Sequence, residues 1–95
     1  MPTTQAKIEY ALSLVRAALT HAEQKHGLEF ASPHEAHSVI EEEFEELWDH
    51  VKADTGYTLD ASTEASHVAA MAIKYMINFD PRIRDDDDGD VRPGS

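Results

Sequence analysis

Cysteine is absent from this 95-residue chain, which excludes a disulfide framework and a thiolate metal site. Basic residues are scarce: eight Lys and Arg stand against nineteen Asp and Glu. The formal net charge of −11 opposes adherence to nucleic acid or to an anionic membrane, so neither is expected as a partner. No apolar run approaches the roughly eighteen residues that a membrane helix needs. The opening MPTTQAKIEY lacks the apolar segment of a signal peptide, and a cytoplasmic location is the expectation. With four glycines there is no Gly-rich phosphate loop, and neither a nucleophile elbow nor an internal repeat is visible. A chain this acidic needs a metal ion as intermediary if it is to handle phosphates.

What is present is helical patterning. Ile8, Leu12, Val15, Leu19 and Ala22 recur at three- and four-residue spacing and predict a first helix from about Thr4 to His26, ended by Gly27 in a left-handed turn. Its histidines, His21 and His26, read as surface or capping residues near the negative end of the helix dipole. The second helix opens with Ser32 as cap, Pro33 at the first position and Glu35 three residues after the cap, a capping box, and runs to about Lys52. The third, about Ala61 to Phe79 with Asp60 or Ser62 as cap, is apolar on most sides and is stopped by Pro81. It belongs at the centre of an assembly.

The fold expected is therefore all-α: a three-helix protomer over residues 1–80 with a disordered acidic tail over 81–95. About eighty packable residues make a marginal core for a monomer, which predicts a helical-bundle homo-oligomer, a homodimer or homotetramer.

Two acidic features break this pattern. Helical spacing sets Glu43 inside the apolar stripe of Val39, Ile40, Leu47 and Val51, with Glu46 on its flank and Glu42 and Glu45 facing outward. An ionised carboxylate there costs several kcal/mol, on the order of a lost buried charge pair, unless a cation, a proton or strong donors compensate it. Separated from Glu46 by seventeen residues, Glu64-Ala65-Ser66-His67 puts a carboxylate and an imidazole one turn apart on the third helix. Oxygen ligands suit Mg²⁺ or Mn²⁺, and the imidazole shifts the preference toward Mn²⁺, iron or zinc. The plain alternative is a solvated face for Glu41, Glu42 and Glu45 and a satisfied partly buried histidine for His67. Trp48, Met71, Tyr75 and Met76 read as core or interface, and His37 and His50 as polar-edge residues.

The arrangement Glu42-Glu43-x-x-Glu46 followed by Glu64-x-x-His67 resembles the MazG-like all-α nucleoside triphosphate pyrophosphohydrolases, whose signature is EExxE, a spacer and ExxD. The runs SPHEAHSVIEEEFEELWDHVK and EASHVAAMAIKYM are similar to small phage and bacterial proteins grouped with them, and the likeness covers roughly Ser32 to Phe79. It implies hydrolysis of a nucleoside triphosphate to a monophosphate and pyrophosphate, with Mg²⁺ held by Glu43, Glu46, Glu64 and His67. Glu42 or Glu46 would serve as the carboxylate that activates water. Lys74 and Asn78, seven and eleven residues beyond His67 on one face, would reach phosphate or ribose. The chain departs from the signature at His67, which supplies a neutral nitrogen where the family has Asp, and at Glu41, where an apolar residue is usual.

Two other classes fit the same residues. A dimer would supply two Glu43 and two Glu-x-x-His sets, the ligand inventory of a ferritin-like di-iron bundle, with iron as the cofactor. A noncatalytic helical interaction protein with an acidic tail is the third.

Overall fold

The computed structural model describes residues 1–84, and the greater part of the expected tail lies outside them. The described residues form three α-helices and no strand: α1 Thr4–His26, α2 Pro33–Lys52 and α3 Leu59–Phe79. Helix α1 begins under the Thr3 hydroxyl, which accepts from Ala6 N–H, and ends at Gly27, whose φ of 76° with ψ of −177° is an extended positive-φ conformation that glycine adopts without a Cβ penalty, in place of the expected left-handed turn. Helix α2 starts with the expected capping box. The Ser32 hydroxyl accepts from Glu35 N–H at 3.1 Å, and the Glu35 carboxylate reaches back to accept from Ala31 N–H at 2.7 Å.

Helix α3 starts earlier than its sequence suggests. Thr58, not Asp60 or Ser62, is the cap, its hydroxyl accepting from Ala61 N–H and donating to the Thr55 carbonyl. The connection holds Asp54 at φ 63° and is braced by His50, whose Nδ1 lies 3.1 Å from the Thr55 hydroxyl. Past α3, Arg82 donates from backbone and side chain to Asp80, and these bonds hold the Asp80 carboxyl down to about 2.

Helix α3 packs against both α1 and α2, while α1 and α2 make no close approach to one another. Helix α2 runs antiparallel to α3, with Glu43 level with His67 and Glu35 and Val39 toward the Lys74 end. Ala36, Ala70, Met71 and Phe30 form the buried cluster, lined by Val15, Ala18, Leu19 and Ala22 from α1, Val39 and Ile40 from α2, and Phe79. Ala61 is also buried, and no large side chain is fully enclosed. Several stripe residues expected to pack do not: Ile8 and Leu12 of α1 and Val51 of α2 stay about half exposed. Among the described residues no helix is long and apolar enough to cross a membrane.

Candidate metal centre

Helix α2 carries Glu43 on the side that faces α3, between half-buried Val39, Ile40 and Leu47. Helix α3 answers with Glu64 and His67, three residues apart and so on one face. The His67 Nδ1 lies 2.9 Å from Glu64 Oε1 and 3.8 Å from Glu43 Oε1. One ligand atom from each of the three residues falls within 4.8 Å of the others. Ligands of an octahedral ion at about 2.1 Å stand about 3 Å apart when adjacent and about 4.2 Å when opposite, a range that holds the 2.9 and 3.8 Å separations of His67 from Glu64 and Glu43.

The electrostatics fit as well. Burial raises the Glu43 pKa above its ordinary value of 4.5, and a side-chain hydrogen bond with Glu46 raises it further, while His67 pulls it down. The Glu43 side chain keeps 25% of its exposure and that of Glu64 20%, against 39% for His67, so the cluster is shielded on the carboxylate side and open on the imidazole side. The short contact sets a Glu64 carboxylate oxygen against His67 Nδ1, a nitrogen whose donor or acceptor role follows the ring tautomer. Holding a cation between them requires the His67 nitrogen that faces it to be unprotonated and Glu43 to be ionised.

The structure brings together three of the four expected ligands. Glu46 is exposed and outside the converging set, and it meets the site through Glu43. Glu42, also exposed, borders a cavity of about 590 Å³ that opens between the three helices and runs from Glu43 and His67 to Lys74. Lys74 is 95% buried, at 5% relative exposure, with its ammonium 4.2 Å from the centre of the Phe30 ring.

Asn78 does not open onto that cavity. Its Nδ2 donates to the Leu28 and Lys74 carbonyls at 2.8 Å each, and its Oδ1 accepts from Phe30 N–H at 3.1 Å. All of this serves to pin the α1–α2 connection to α3. His21 and His26, read from sequence as surface or capping residues, both line the cavity. Phe30 was not marked by any periodicity, although its place as the one aromatic between α1 and α2 was a signal that it docks.

The site is thus a two-helix cluster of two carboxylates and an imidazole in an all-α, three-helix protein. Comparison with family models, curated proteins and solved structures finds no match to this chain.

Proposed function

We propose that this protein is a divalent-metal-dependent hydrolase that cleaves nucleoside triphosphates between the α- and β-phosphates, releasing a monophosphate and pyrophosphate. The observation that carries the reading is the convergence of Glu43, Glu64 and His67, of which Glu43 and His67 line a cavity shared with Lys74. The resemblance of the Glu42-Glu43-x-x-Glu46 and Glu64-x-x-His67 segments to the MazG-like signature supports it independently of geometry.

Mg²⁺ or Mn²⁺ held by the three side chains supplies charge neutralisation at the phosphate oxygens, without which this acidic surface repels the substrate. The remaining work falls to the protein. A carboxylate free of metal takes a proton from water as the water oxygen bonds to the α-phosphorus. The bond from that phosphorus to the bridging oxygen breaks, and the bridging oxygen leaves with pyrophosphate. Glu42, at the cavity, and Glu46, against Glu43, are the two carboxylates available for this role.

His67 favours one second reading. An imidazole paired with Glu64 suits iron, and two copies of the cluster in a dimer would match a di-iron oxidase. A panel of ribo- and deoxyribonucleoside triphosphates with Mg²⁺ or Mn²⁺, scored for pyrophosphate and monophosphate, tests the first reading. Pyrophosphate release that is lost in Glu43→Gln is the expected result. Silence across the panel together with oxygen consumption on Fe²⁺ would move the assignment to the second, and silence in both assays to a noncatalytic role.

A further inference from the structure

With α3 between α1 and α2, the three helices form a layer whose two sides differ in chemistry. One side holds the metal-site cavity and a second cavity toward the start of α1, and Ala18, His21 and His67 line both. The other side is apolar and uncovered. On α3, Met76 follows His67 by nine residues, half a turn away at about 100° per residue, and Ala65 and Ala72 fall within about 40° of the same direction. All three are exposed. On α2 the flank of Glu35, Val39 and Glu42 lines the metal-site cavity, so Phe44, Trp48 and Val51 on the opposite flank turn away from it. On α1 the cavity takes His21 and Lys25, and Leu12 lies on the far flank. Phe44, Trp48, Val51 and Leu12 are each about half exposed. An apolar face that spans three helices marks an interaction surface.

Charge selects the occupant and its orientation. Helix α2 carries seven Asp and Glu against one Lys, whereas α1 carries three Lys and Arg against two Glu. Two copies meeting through this face are related by a twofold axis. An axis across α3 lays α2 on α2 and sets acid against acid. An axis along α3 lays α1 of each copy on α2 of the other and sets the basic helix on the acidic one. Heights agree with the second arrangement. Ala18 borders both cavities beside His67, and Glu43 stands 3.8 Å from His67, so Arg16 and Glu43 lie at about one level. Rotation about an axis along α3 preserves height. It brings Arg16, one turn beyond Leu12, against Glu41 and Glu45 of the partner subunit, which stand one turn before Phe44 and Trp48.

We propose that the apolar face opposite the candidate metal centre binds a second copy of this chain about a twofold axis parallel to α3. Helix α3 packs on its own copy in the same direction, and the Phe44 and Trp48 ridge of each α2 meets Leu12 of the partner subunit. Both metal clusters remain on the outer sides of the pair, each complete within one chain. The pairing therefore makes no dinuclear centre shared between copies, and it stands whether or not the protein hydrolyses nucleotides.

The full chain has no cysteine, so a single introduced one reports contact between identical positions. With the axis along α3, a residue on its facing side meets its own copy at any height. Ala65→Cys and Met76→Cys should therefore each give a disulfide-linked dimer under mild oxidation, and Tyr10→Cys, exposed on the cavity side, should not. Ala72→Glu places a charge in the centre of the face and should weaken association about a hundredfold or more by sedimentation, with helicity unchanged by circular dichroism. Tyr10→Glu should dimerise as wild type does. The single tryptophan, Trp48, should shift its emission to the red as the dimer dissociates. A wild type that stays monomeric at micromolar concentration overturns the proposal and leaves the face to a different partner. A dimer that Ala72→Glu does not weaken also overturns it, as does one that links through neither cysteine on α3.

Discussion

Glu43 is the residue on which the metal reading turns, and its protonation sets a direction for pH effects. Its folded pKa is raised above the ordinary 4.5, so the folded state binds more protons than the unfolded state between those two values. Its contribution to stability is then fully present below about 4.5 and is lost as pH rises through the folded value. Metal affinity should run the opposite way, strengthening over that window as Glu43 ionises, with proton release on binding. Thermal unfolding with and without Mg²⁺ across acid to neutral pH checks both trends. Glu43→Gln should remove the metal-induced stabilisation, about 2.7 kcal/mol at a metal concentration one hundred times Kd. The same variant should leave the metal-free protein as stable as wild type or more so, because a charge has been taken out of an apolar stripe. A metal-free protein clearly weakened by the substitution would mark Glu43 as a structural partner of His67 instead. The placement of Glu43, Glu64 and His67 was legible in sequence because helical period alone fixes which side chains share a face. The burial of Lys74 and the bracing done by Asn78 were not, since both depend on how a six-residue connection folds back across α3.

At the scale of the element, the helices illustrate where local chemistry suffices. Ser32, Pro33 and Glu35 define the start of α2 without any tertiary information, and the boundary falls there. For α3 three hydroxyl or carboxylate side chains within five residues, Thr58, Asp60 and Ser62, are each competent caps. The choice of Thr58 depends on the preceding turn, in which the Thr58 hydroxyl also donates to the Thr55 carbonyl and Thr55 is itself held by His50. Thr58→Ala should therefore cost about 1 kcal/mol, seen as a lower midpoint in urea. Ser62→Ala should cost a few tenths at most, being an exposed position inside the helix. Equal losses from the two would place the cap elsewhere.

For the whole molecule the deficit is apolar burial. The five buried apolar residues include three alanines, while Ile8, Leu12, Leu14, Phe44 and Trp48 remain between 43% and 59% exposed. Helices that leave such stripes uncovered find partners, and the smallest closed arrangement is a pair of identical chains. We therefore expect at least a dimer by sedimentation at micromolar concentration, with a midpoint of thermal unfolding that rises with protein concentration. A stable monomer with a concentration-independent midpoint would count against this. Periodicity raised the expectation that α3 carries more apolar surface than two partners cover; which stripes α1 and α2 leave bare was not legible, because that depends on how each helix is set against α3.

That setting divides the molecule unequally. Among the helices α1 makes its close backbone approach to α3 alone, and none of the three converging ligands comes from it. A bound cation would act as a rivet through α2 and α3 and leave α1 attached only by its own packing. Amide hydrogen exchange should then register the metal as slower exchange around Glu43 and between Glu64 and His67, with the amides of α1 nearly indifferent to it.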